Sequence, residues 1–164
     1  TLGCAVDAGP KAGLPNETDG SKSFGTGISE QDCFNENDPD LHLGNYTDAF
    51  VNFTENHELI LSSDADGGLA TTIAMILVGM APAEVAQITS SATLQDQALG
   101  EVVHNHFEGF CTPELTWLIP NLGLGFNPGI SLFDLTEQTA TLNVELLFTD
   151  NGTEDFQAQV VFTP

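Results

Sequence analysis

Arginine is missing from this 164-residue chain, and lysine occurs only at Lys11 and Lys22. From residue 23 to the end no side chain except histidine can carry a positive charge. Binding to nucleic acid through phosphates needs Lys and Arg, so no nucleic-acid partner is expected. Anionic membranes would repel such a chain. Long hydrophobic runs are lacking too. The best one, 69–83, has about fifteen residues, short of the roughly 20 that span a bilayer, and Gly79 and Pro82 interrupt it. No direct membrane insertion is expected. Cysteine is scarce: Cys4, Cys33 and Cys111 match no zinc-binding spacing. No Gly-x-Ser-x-Gly elbow and no lysine-bearing phosphate loop occurs. These absences point away from an enzyme.

Acid is what the chain has in excess. Twenty-four Asp and Glu give a formal net charge of −22. Self-repulsion of that size destabilises a compact state unless salt screens it, divalent cations neutralise it or low pH removes it. A halophilic source is the simplest expectation. Hydrophobic residues make up 41% and there are 11 Phe, so the acidity belongs to a folded domain and not to a disordered tail. The length suits one domain. Residues 1–47, punctuated by Gly, Pro, Asn and Asp, read as an irregular N-terminal arm. Residues 48–164 read as one globular β-rich domain.

The strongest pattern lies at the end. Ala140, Leu142, Val144, Leu146 and Phe148 alternate with more polar residues, as do Phe156, Ala158, Val160 and Phe162. That is a long β-hairpin. A three-residue loop at Asp150-Asn151-Gly152, with Gly152 left-handed, would pair Leu146 with Phe156 and Val144 with Ala158. Upstream, 49–54, 58–62, 69–80, 110–119 and 130–135 read as strands, and Asn121 to Gly129 as a loop. Pro82 suits a helix start. Leu94, Ala98, Leu99, Val102, Val103, His106 and Phe107 recur at helical spacing behind a capping Thr93. The expected class is therefore α+β and β-rich. It has a mostly antiparallel sheet or sandwich, one or two helices at about 82–108 and the closing hairpin. The alternative is an all-β sandwich.

Candidate sites follow from side-chain chemistry. His104 and His106 are the best metal ligands, with His42 and His57 as remote partners. On a strand the two would share a face. On the expected helix they would point about 200° apart. Asp64 and Asp66, in Asp64-Ala65-Asp66-Gly67-Gly68, suit a turn or a calcium loop, and calcium is the one cofactor considered. Four Asn-x-Thr sequons, at Asn16, Asn45, Asn52 and Asn151, are glycan acceptor patterns. A Cys4–Cys33 disulfide would staple the irregular arm, leaving Cys111 as a buried thiol or an intermolecular link.

Two local resemblances add to this. Cys4-Ala5-Val6-Asp7-Ala8-Gly9 resembles, over six residues, the first-cysteine region of chaperone–usher pilins. The order of elements, with Ala98-Leu99-Gly100-Glu101 followed by Asn105, loosely resembles the chemotaxis phosphatase family CheC/CheX. That family places its Asn three residues after the Glu, where this chain has four.

Sequons and a disulfide imply an extracellular or cell-surface location. The expected function is an exported, acidic, glycosylated structural or adhesive subunit of a filament, surface layer or virion. It would self-associate or join other surface subunits. The alternatives are a secreted metal-binding protein or enzyme using His104 and His106, and a carbohydrate- or ligand-binding module centred on Trp117 and the Asn121–Gly129 loop.

Overall fold

The computed structural model describes residues 26–63 and 65–164. Within them the chain runs β1 (Asp40–Tyr46), β2 (Phe50–Asn52), β3 (His57–Ile60), β4 (Ser62–Ser63) and β5 (Leu69–Val78). There follow β6 (Val85–Leu94), β7 (Gln97–His104), β8 (Phe110–Cys111), β9 (Trp117–Gly125), α1 (Leu132–Leu135), β10 (Thr139–Phe148) and β11 (Thr153–Thr163). One sheet has the order β2-β1-β5-β9-β8, with β4 also on β5; the other is β3-β11-β10-β6-β7. Pairing is antiparallel except between β11 and β3. Both sheets feed one core: Leu41, Leu43, Ile73, Met75, Leu77 and Ile119 from the first, Ile88, Leu142, Val144, Leu146, Val160 and Phe162 from the second. The molecule is a β-sandwich.

Alternation explains most of this. In β10 every second residue from Ala140 to Leu146 is buried, and the residues between are not. The closing stretch forms the hairpin β10–β11, with Val144 opposite Phe156 and Leu142 opposite Ala158. The three-residue loop sits one position earlier than expected. Thr149-Asp150-Asn151 turns the chain, Asn151 N–H donates to Phe148 O (3.0 Å) and Phe148 N–H to Gly152 O (2.8 Å). Asn151, at φ 68°, takes the left-handed position in place of Gly152, as asparagine tolerates well. The shift moves each pair by two residues, so the apolar faces are unchanged.

The helix expected over 82–108 is absent. Pro82–Glu84 makes one 3-10 turn, and β6 and β7 form a hairpin. Its two-residue turn is Gln95-Asp96, both left-handed (φ 48° and 65°), with Leu94 paired to Gln97. That is the backbone of a type I′ turn. Helical spacing of the apolar residues was accidental. Sheet pairing with β10 and the β-branched Val85, Ile88, Thr89 and Thr93 prevail. The chemotaxis-phosphatase resemblance depended on that helix and fails with it.

Three smaller expectations also change. β1 lies inside the stretch read as irregular, burying Leu41 and Leu43 beside β5. The Asn121–Gly129 loop is strand as far as Gly125. The strand expected at 130–135 contains α1, capped where the Ser131 hydroxyl accepts from Asp134 N–H (3.3 Å).

Candidate functional site

The best histidine candidate is already engaged. β7 pairs with β6 so that Ile88 faces His104 and Ser90 faces Val102. This brings His104 Nε2 to 2.9 Å from Gly123 O, and the Ser90 hydroxyl donates to the same carbonyl at 2.9 Å. Gly123 lies on β9 beyond Leu118, where pairing with β8 stops. The two side chains thus satisfy a carbonyl at the open part of that strand. With Nε2 donating, His104 has only Nδ1 left for a metal. His106 lies two residues past the end of β7, beyond the bend at Asn105, and is exposed. Although the segment is a strand, the expected shared face ends at His104. His42 sits on β1 of the other sheet, with Nε2 3.5 Å from the Asp40 carboxylate. His57, on β3, accepts from Asn45 Nδ2 at 2.8 Å. Among the described residues no three His, Cys, Asp or Glu gather to hold a metal ion.

Ser90 and His104 are 3.3 Å apart, the spacing of a nucleophile and its base. Ser90 is fully buried and its proton goes to Gly123 O. The contact therefore holds the sheets together and presents no hydroxyl to a substrate.

Glycines permit the close approach at this edge. A Cβ on Gly100 would fall 2.1 Å from Gly125 O. Asn127 N–H donates to Leu99 O at 2.7 Å, tying the chain beyond β9 to the start of β7.

The disulfide is not the one expected. Cys33 is bonded to Cys111, with Cα atoms 5.7 Å apart. A sulfur forms one such bond, so Cys4–Cys33 is excluded; Cys4 lies outside the described residues. The bridge ties the segment before β1 to β8. There Thr26 N–H also donates to Cys111 O at 2.9 Å.

Asp64 also lies outside the described residues. Ser62 and Ser63 pair antiparallel with Ala70 and Leu69, and Gly67 is left-handed at φ 82°. Of the sequons, Asn16 is outside the described residues. Asn52 and Asn151 are exposed, and Asn45 is half-buried against His57. Trp117 is only 5% exposed, which removes it as a stacking platform for sugars. Its Nε1 is buried without a hydrogen-bond partner beside Gly109, where a Cβ would come within 2.4 Å.

One concavity escaped sequence reasoning. In the first sheet Ile73, Met75, Trp117 and Ile119 point into the core. By alternation Ala74, Ile76, Leu118, Pro120 and Tyr46 point outward. Phe110, opposite Leu118, joins them and meets Tyr46 edge-on at 6.0 Å between ring centres. Over this face opens a cleft of about 480 Å³, lined by Tyr46, Phe107, Phe110, Pro120, Glu30 and Glu108 among others. Burial raises the Tyr46 phenol above its ordinary pKa of 10.0, and Asp48 raises it further. The lining comes from segments far apart in sequence, and its only local signal is the aromatic-acid run Phe107-Glu108-Gly109-Phe110.

No protein-family model matches this chain, and no curated protein matches it in sequence.

Proposed function

We propose that this chain supplies an acidic β-sandwich to an extracellular surface assembly, as a structural or adhesive subunit. The observation that carries the reading is apolar exposure at one end of the sandwich. Phe133 is 92% exposed and Ile60 is 70% exposed. Ile60 pairs with Thr163 at the end of β11, and α1, which bears Phe133, packs on the same strand. Large side chains held in water on ordered elements lose free energy that a subunit contact would recover, about 1.5–3 kcal/mol for each full burial. The sheet edges are less suited to that contact. β2, β3 and β8 are two to four residues long, and Asn127 covers the start of β7. Short or covered edges resist strand pairing.

Repulsion between copies carrying −22 each confines association to high salt. The test is sedimentation velocity of the full chain in molar salt, across a wide concentration range. Association that weakens in Phe133→Ser/Ile60→Ser supports the reading; a strict monomer at every concentration ends it. Glycans on exposed Asn52 and Asn151 belong to the same proposal. Intact mass of protein from its own source, before and after reduction, reports them.

A further inference from the structure

We propose that the cleft on the outer face of the first sheet is a binding site for an organic ammonium cation. Three kinds of lining group converge on that chemistry. Tyr46, Phe107 and Phe110 bring aromatic rings, whose electron-rich faces attract a poorly hydrated cation. Glu30 and Glu108, both exposed, bring two carboxylates to the same opening. Pro120 and the buried Phe110 supply apolar surface for alkyl groups. At about 480 Å³ the space is that of a small-molecule site.

Charge decides which ligand such a cleft takes. Anions are repelled by the flanking carboxylates and by the whole molecule at −22. A bare metal ion gains nothing from the rings that it would not lose in dehydration, whereas an alkylated ammonium is weakly hydrated and carries its own apolar surface. No described residue is Lys or Arg. None of them can therefore place a side-chain ammonium or guanidinium among these rings, and a cation there comes from elsewhere.

Two sources share the chemistry: a free quaternary ammonium compound, or the lysine side chain of a partner. The experiment titrates the full chain in molar sodium chloride, by calorimetry and by ligand-observed NMR. The probes are tetramethylammonium, a short lysine peptide blocked at its N-terminus and keeping its free ε-ammonium, and neopentyl alcohol as the uncharged shape-mimic of the first. Lys11→Gln/Lys22→Gln is run in parallel to remove the chain's own lysines as competitors. Saturable binding of a cationic probe is expected, at least about tenfold tighter than the alcohol. Glu30→Gln/Glu108→Gln and Phe107→Leu should each weaken it by roughly three- to tenfold. Glu30 and Glu108 lie at the surface, whereas Phe107 also packs against the core, where leucine keeps an apolar side chain; an unchanged circular dichroism spectrum and denaturation midpoint will show that the sandwich is intact. Tighter binding of the peptide assigns the site to a partner's lysine, and tighter binding of tetramethylammonium to a free small molecule. Equal affinity for the neutral mimic, indifference to both sets of substitutions, or no saturable binding overturns the proposal.

Discussion

Single residues show how this molecule economises on polar groups. Gly123 O, on the stretch of β9 beyond its pairing with β8, receives the Ser90 hydroxyl and His104 Nε2 together. Losing either donor leaves the carbonyl one partner, at a cost of about 0.5–1.5 kcal/mol. Losing both leaves it with neither side-chain donor in a part-buried place. Ser90→Ala/His104→Ala is therefore expected to cost more than the sum of the single changes in urea denaturation, whereas strict additivity would mean that the two donors act independently. Tyr46 offers a second reading at this scale, since it is the only tyrosine. Its pKa is raised by burial first and Asp48 second, so folding favours the protonated phenol. That contribution is complete below the unfolded value and is lost as pH rises through the folded one. An absorbance titration should find a midpoint above 10.0, and Asp48→Asn should lower it only in part, because burial remains. The legible part of this scale was the identity of the polar residues. Their pairing was not legible, since Ser90, His104 and Gly123 meet only when two sheets close.

Elements were legible in proportion to how local their cause is. β10 and β11 announce themselves because a strand with one buried face repeats every two residues. The turn between them was one position off, because Asn and Gly both accept left-handed backbone and local sequence does not choose between them. Gln95-Asp96 gave no turn signal at all. A left-handed pair is costly there, and pairing of β6 with both β7 and β10 sustains it. The Cys33–Cys111 bridge belongs to this scale as well, since it fastens the segment before β1 to β8. It closes 78 residues, worth about 4–5 kcal/mol in the chain-entropy account. Cys111→Ser should lower stability by about 2–5 kcal/mol, measured by denaturation at fixed salt, and Cys4→Ser should leave the bridge and the stability unchanged. An equal loss from Cys4→Ser would contradict this pairing.

At the scale of the whole molecule, charge governs the conditions under which the sandwich stands. The core is an ordinary one, with Leu, Ile, Val, Met and Phe fully buried between the two sheets, while the described residues carry acids on the exterior and include no Lys or Arg to offset them. Screening length falls from roughly 30 Å at 0.01 M salt to about 3 Å at 1 M. The thermal midpoint should therefore climb steadily over that range in potassium chloride. A midpoint independent of salt would show that the carboxylates do not strain the fold. Divalent cations should raise it at far lower concentration, by neutralising pairs of surface carboxylates.

The amino-acid sequence alone determined the chain's acidity, its β-rich character and the face each closing strand turns inward. Those properties are sums over composition or repeats over a few neighbours. Tertiary structure alone decided that residues 85–104 form a hairpin, that Cys33 takes Cys111, and that His104 serves a backbone carbonyl. It alone also brought Glu30, Tyr46, Phe107 and Pro120 around one cleft. In each case the partners are distant in sequence, and the free energy that selects them comes from closing two sheets over a common core, which no short stretch of chain encodes.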